Sequence, residues 1–263
     1  MMFSCSFELS HYRDILLQAR QSGFTILQLK DARRLCRGKF IVLRHDIDFS
    51  VEDAYRMAEL ERQLGVQSSF CVLLHSVTYH VGDASTLCLL REIAAMGHEI
   101  GLHYDLSFFE AAKLDPVKGI LAEARYLGWL IGQPIKSVAQ HRPASHGAFA
   151  GVPPQFVDAY APQLTRDITY VSDSRRSWRS GCVHERVRDA ERIQLLIHAE
   201  WWEPGPVTAK REVVHRLCLR SQRRIAQEME RYAAGIDDGA RDSKEARLPR
   251  RDGRTSLPLP RAA

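Results

Sequence analysis

IVLRHDIDFS, Ile41 to Ser50, decides how this chain folds. The apolar run FIVLR (40–44) reads as a buried strand, and it ends abruptly in His45-Asp46-Ile47-Asp48. The next segment, SVEDAYRMAELERQLG (50–65), reads as a helix. Ser50 is placed to cap it with Asp53 three residues on, Val51, Ala54 and Ala58 form one stripe, and Gly65 stops it. The Asp-x-Asp at 46 and 48 reads as a loop rather than as more strand, with both carboxylates at the tip.

Outward from this unit the alternation repeats. SSFCVLL (68–74), HEIGL (98–102), KSVAQ (136–140), DITYVS (167–172) and RIQLLI (192–197) are strand candidates. STLCLLREIAAMG (85–97) and DPVKGILAEARYLGWL (115–130) are helices, the second with Pro116 in its first turn. HYRDILLQARQSGFTILQL (11–29) reads as a helix followed by a strand, and 208–234 as a long final helix. Strands alternating with helices imply crossovers and a largely parallel sheet. Near-continuous apolar strands suit a sheet covered on both faces. An open doubly wound sheet and a barrel both satisfy the pattern.

The chain has 263 residues, 45% hydrophobic and 26% charged, which suits one globular domain. We expect a domain over 1–234 and a disordered tail over 235–263, where Asp, Arg, Gly and Pro replace large apolar residues. The net charge of +5 reflects basic residues in the final helix and tail without interleaved aromatics, so nucleic acid is not an expected partner. No stretch approaches the ~20 apolar residues of a membrane span, and no basic-then-apolar leader opens the sequence, so the expected compartment is the cytoplasm. Six cysteines without a C-x-x-C pair read as reduced, structural thiols.

The residues that follow the strands carry the functional signal. His45, Asp46 and Asp48 follow the first run, then His75, then His103 and Asp105, then His141 and Arg142, then Asp173, then His198. The carboxyl ends of parallel strands are where α/β folds assemble sites. Asp and His together suit a divalent ion held by three protein ligands with an open position, zinc being the expected metal. Trp201 and Trp202, just after His198, could wall a ring-shaped substrate or serve as packing.

HDID, GHEIGLHYD, HRPASHG, YVSDSRRSW and LLIHAEWW, in this order, resemble the polysaccharide deacetylase (NodB-homology) family over about residues 10 to 205, and more narrowly its branch with a His-Asp-x-Asp first motif. The resemblance implies a distorted (β/α) barrel of about seven parallel strands and metal-dependent removal of N-acetyl or other N-acyl groups from an amino-sugar-containing carbohydrate or precursor. It makes Asp46 the general base, Asp48 and His103 metal ligands, Arg142 the arginine that orients the base, Asp173 the support of the acid, and His198 the acid. Tyr104, Trp201 and Trp202 are the candidate substrate contacts. One position departs from the family: Ser107 stands where a second metal histidine is expected, four residues after His103. His141 is the first candidate to replace it, Asp105 the second, and His75 or His80 the third. The alternatives are a hydrolase of a small non-sugar amide and a carbohydrate-binding barrel that has lost catalysis.

Overall fold

The computed structural model describes residues 6–34, 38–179, 181–206 and 208–242; Cys5, Cys36 and the expected tail from 243 onward lie outside them. Helix α1 (Leu9–Gln21) leads to β1 (Thr25–Leu27), a 3-10 turn (Leu29–Arg34), β2 (Phe40–Ile47), α2 (Val51–Gln63), β3 (Ser69–Leu73), α3 (Ala84–Ala95) and β4 (Glu99–Tyr104). Then follow α4 (Leu106–Ala111), α5 (Pro116–Ile131), β5 (Ser137–Gln140), α6 (Pro143–His146), β6 (Val157–Asp158), α7 (Pro162–Thr165), β7 (Thr169–Ser172), α8 (Val183–Asp189), β8 (Arg192–Ile197), a 3-10 turn (Ala199–Trp201) and α9 (Lys210–Asp242). Local chemistry sets the boundaries. Ser50 Oγ accepts the Asp53 N–H at 3.1 Å and caps α2, and Gly65 takes a positive φ just beyond it.

Seven strands form the order β6-β5-β4-β3-β2-β8-β7, every pairing parallel, with β1 beside the start of β2. The sheet curls. β2 and β6 are four places apart in it, yet Arg44 Nη2 donates to Tyr160 Oη at 2.8 Å, and Gln194 of β8 donates to the Ala159 and Leu164 carbonyls at 3.0 and 2.8 Å. Side chains therefore reach across an interior, which is the distorted barrel expected. No ladder joins β6 to β7 among the described residues.

Alternation along each strand separates two apolar layers. Ile41, Leu43 and Ile47 pack outward with Phe70, Val72, Ile100 and Leu102 against the helices. Phe40 and Val42 face inward with Cys71, Ala139, Val157 and Ile168. The same alternation sends Arg44 and Asp46 inward and His45 outward, where its Nε2 meets Glu61 Oε1 of α2 at 2.6 Å. Tyr12 and Ser68 hydroxyls also donate to Glu61, at 2.6 and 2.5 Å, so His45 ties β2 to two helices and a neighbouring strand entry.

Two boundaries differ from expectation. β2 continues through Ile47, and Asp46 sits in the ladder opposite Cys71 rather than in a loop. A neighbouring strand that supplies backbone partners overrides the low strand propensity of Asp. The final helix runs to Asp242 instead of ending at 234; Gly235 costs only about 1 kcal/mol against cooperative elongation. By internal contacts the chain divides into a unit up to Cys218 and another from Leu219 onward. The site lies wholly in the first. Among the described residues no helix is long and apolar enough to cross a membrane.

Candidate active site

Inward-facing positions at the carboxyl ends of β2, β4 and β5 bring Asp48, His103 and His141 together, all within 4.8 Å of one another and largely buried. Asp48 Oδ1 lies 3.2 Å from His103 Nε2 and 3.3 Å from His141 Nδ1, and the two nitrogens are 3.1 Å apart. Donors on one cation at ~2.1 Å stand roughly 3.0 Å apart in cis octahedral positions and roughly 3.4 Å apart in tetrahedral ones. The observed spacing falls between. His103 Nδ1 donates to the Ala139 carbonyl at 3.0 Å, which turns the Nε2 lone pair toward Asp48, the usual way a second partner fixes a ligating histidine. Asp48 Oδ1 is a buried oxygen without a hydrogen-bond partner among the described residues. Donor types, spacing and orientation all fit a divalent cation. Burial opposes ionisation of Asp48, but His103 and His141 override it and hold the carboxyl well below the usual range. Burial likewise opposes charge on His103, and Asp46 followed by Asp48 raises its pKa.

Asp46 is almost fully buried beside this set, its Oδ2 3.8 Å from His103 Nε2. The arginine behind it is not the one expected. Arg142 is exposed with a left-handed backbone, and among the described residues no ion pair joins it to Asp46. Arg44, two residues before Asp46 on the same strand face, is wholly buried and places Nε 3.3 Å from Asp46 Oδ1. Its guanidinium lies over the Tyr160 ring, 4.6 Å from the centroid. The signal was an arginine inside an apolar strand at the i−2 position, where alternation must aim it at the same side as the aspartate.

On the other flank of β2, His198 follows β8 and Asp173 follows β7. His198 Nδ1 donates to Asp173 Oδ1 at 2.6 Å, the His198 backbone N–H donates to the same carboxylate at 3.1 Å, and Trp202 Nε1 donates to Oδ2 at 2.9 Å. Burial opposes a charge on His198, but Asp173 overrides it, and its pKa is pushed up to about 10. Sequence reading passed over Glu200. It is buried with both carboxyl oxygens unpartnered among the described residues, and burial, reinforced by Asp48, raises its pKa well above the usual value.

Asp46, Asp48, His103, His141 and His198 line one cavity of about 610 Å³, with Tyr160, Tyr170 and Trp201 among its walls. Of the three expected substrate contacts only Trp201 is there. Trp202 is core: it packs on Phe7 and Tyr12, with ring centroids 5.2 Å away in both cases. Tyr104 is fully buried in the outer layer, because alternation that turns His103 inward turns its neighbour outward.

No protein-family model matches the chain, and none of the curated proteins does. Solved structures do. The peptidoglycan deacetylase PdaC from Bacillus subtilis is similar at 18% identity, covering 74% of this chain and 98% of that one, with a TM-score of 0.43. A family 4 acetyl xylan esterase from Clostridium thermocellum, in complex with a cobalt ion, is similar at 16%, covering 70% and 84%, with a TM-score of 0.37. A CE4 family pseudoenzyme from Bacillus anthracis is similar at 15%, covering 72% of this chain and 62% of that one, with a TM-score of 0.40. The chain thus spans less than two thirds of that last protein.

The other candidates for the missing ligand are engaged elsewhere. Asp105 Oδ1 accepts the Ser107 N–H at 2.9 Å and caps α4. His75 meets Glu123 at 2.7 Å and stacks on Phe108. His80 is exposed and accepts the Gly82 N–H. Ser107 itself is exposed, bonded to His146 at 2.9 Å. A second buried donor group, His11, Cys182 and His184, lies apart from the cavity, with His11 Nε2 3.3 Å from Cys182 Sγ and the His11 ring stacked on Trp202.

Proposed function

We propose that the chain is a metal-dependent hydrolase that removes an acyl group, acetyl first, from the nitrogen of an amino-sugar-containing carbohydrate or its precursor. One observation carries the reading. Asp46, the Asp48/His103/His141 donor set and His198 all open on one cavity, with Asp173 buried behind His198. Asp48, His103 and His141 would hold a divalent cation, zinc on this donor chemistry, which would supply polarisation of the acyl carbonyl and acidification of water. Arg44 fixes the Asp46 carboxylate, which takes the proton of the water that adds to the acyl carbon. His198, kept cationic by Asp173, gives its proton to the nitrogen as the C–N bond breaks. A free carboxylate and an amine leave. Trp201 offers a flat wall for a sugar ring. The motifs that resemble those of polysaccharide deacetylases favour this chemistry over a small non-sugar amide, and a cytoplasmic location belongs to the same proposal on composition alone.

A second reading, a carbohydrate-binding barrel without catalysis, draws on Ser107 at the expected ligand position; His141, completing a three-donor set, weighs against it. The test is acetate release from acetylated amino sugars, with formamides and ureides as the contrasting panel, alongside metal analysis. Asp46→Asn should keep its metal and lose at least ~100-fold in kcat, ~3 kcal/mol. Wild-type turnover in that variant would remove Asp46 from the role of base. Sugar binding without metal or turnover would select the second reading.

A further inference from the structure

The mouth of the cavity is cationic. Arg142 before α6, Arg175 and Arg179 in the segment after β7, and Lys210 at the start of α9 all line it, and all four are exposed. Its two carboxylates are engaged within, Asp46 by Arg44 and Asp48 by the histidines. Neighbouring arginines find acidic partners: Arg176 and Arg216 both pair with Glu203, at 2.9 and 3.1 Å. Among the described residues the four at the mouth have no such partner. Lys210 Nζ donates to the Arg175 carbonyl at 2.7 Å and lies 5.7 Å from the centre of the Trp201 ring, so the cations adjoin the aromatic wall. Trp201, itself 94% buried, lines the same cavity.

We propose that this mouth is an anion subsite, so that the acylated sugar carries a phosphate or carboxylate. Arg142, Arg175, Arg179 and Lys210 receive that group while the acyl group reaches Asp46 and His198. The reaction at the acyl end rests on the hydrolase reading; the anion subsite does not. Exposed ion pairs contribute little singly, but three or four converging on one anion, with arginine's paired donors, give roughly ten- to a hundredfold preference.

The experiment compares acetate release from N-acetylglucosamine, its 1-phosphate and an N-acetylated hexosaminuronic acid, with calorimetric titration of the same three ligands. At least one anionic sugar should exceed the neutral one about tenfold in kcat/KM, and the advantage should shrink as salt rises. Preference for the 1-phosphate alone assigns a phosphate, and preference for the uronic acid alone a carboxylate. The double variant Arg175→Gln/Arg179→Gln should lose about tenfold on the anionic sugar, mainly in KM, and less on the neutral one. If no sugar is hydrolysed but an anionic one binds, with salt-sensitive affinity weakened in the double variant, the subsite stands and the hydrolase reading falls. Equal handling of neutral and anionic sugars, or no binding of either anionic sugar, overturns the proposal.

Discussion

Replacing Asp173 by Asn tests how the acid is made. In the folded protein His198 gains a carboxylate on Nδ1 at 2.6 Å, and that carboxylate is itself held by the His198 backbone N–H and by Trp202 Nε1. Raising the His198 pKa from 6.5 to about 10 favours the imidazolium by ~5 kcal/mol at ~1.36 kcal/mol per pK unit. The amide keeps the shape and removes the charge. Burial, the largest influence on this ring, then works unopposed by Asp173 and drives the pKa down. Imidazole nitrogen NMR on chelator-treated protein reads the value without any substrate. The wild-type ring should stay cationic to well above pH 8, and the Asn variant should be neutral at pH 7.5. Stability follows with a definite sign. The folded pKa is raised, so the stabilisation is complete below about pH 6.5 and is lost as pH climbs to about 10. The midpoint of urea unfolding should fall over that window in the wild type and much less in the variant. On acetylated substrate kcat should drop ~100-fold or more. A wild-type His198 that titrates near 6.5, or one unmoved by Asp173→Asn, would refute the reasoning.

Other outcomes follow from the same contacts. Asp48→Ala should abolish stoichiometric divalent-ion binding by metal analysis, whereas Cys182→Ser should leave ion binding at the Asp48 set intact and so separate it from the His11 group. Arg44→Met should cost about 3 kcal/mol or more in denaturant unfolding, because Asp46 is left as a buried charge, and should lower kcat far more than Arg142→Gln does. Trp202→Ala should destabilise the fold by about 3–5 kcal/mol as a core truncation, while Trp201→Ala should act chiefly on KM. Gly101→Ala should cost about 1–3 kcal/mol, since its Cβ would come within 2.9 Å of Ser137 Oγ and 3.0 Å of Cys71 Sγ; a thermal midpoint equal to wild type would show that β3 and β5 can part.

The fold was legible where one physical signal dominated. A capping Ser50 and a stopping Gly65 fixed α2 from local chemistry alone, and the apolar run FIVLR located β2 though not its end at Ile47. Periodicity could not choose between an open sheet and a barrel, because that choice depends on contacts such as Arg44 to Tyr160, between residues 116 apart in the chain. The short β6 was hidden for the same reason: Val157 and Asp158 form a strand only because β5 offers a register for them.

The site was legible at the strand ends and not between neighbours. Asp48, His103, Asp173 and His198 were recognisable from position and residue type, and His141 followed once a donor was missing at Ser107. What failed was the assignment of adjacent side chains to faces. Tyr104 beside His103 and Trp202 beside Trp201 looked equally placed along the chain, yet each turned away from its neighbour, while Arg142 beside His141 reaches the same cavity only at its exposed mouth, away from Asp46. The strand period of two would have caught Tyr104, since no strand can aim consecutive residues into one cavity. Applied to β2, the same rule selects Arg44 with Asp46 and sets aside His45 between them. The rule cannot reach Arg142 or Trp202, because both follow a strand end, where a left-handed residue or a 3-10 turn resets the alternation. There the deciding term is what surrounds the side chain: water for Arg142, and for Trp202 the Phe7 and Tyr12 rings with an acceptor in Asp173.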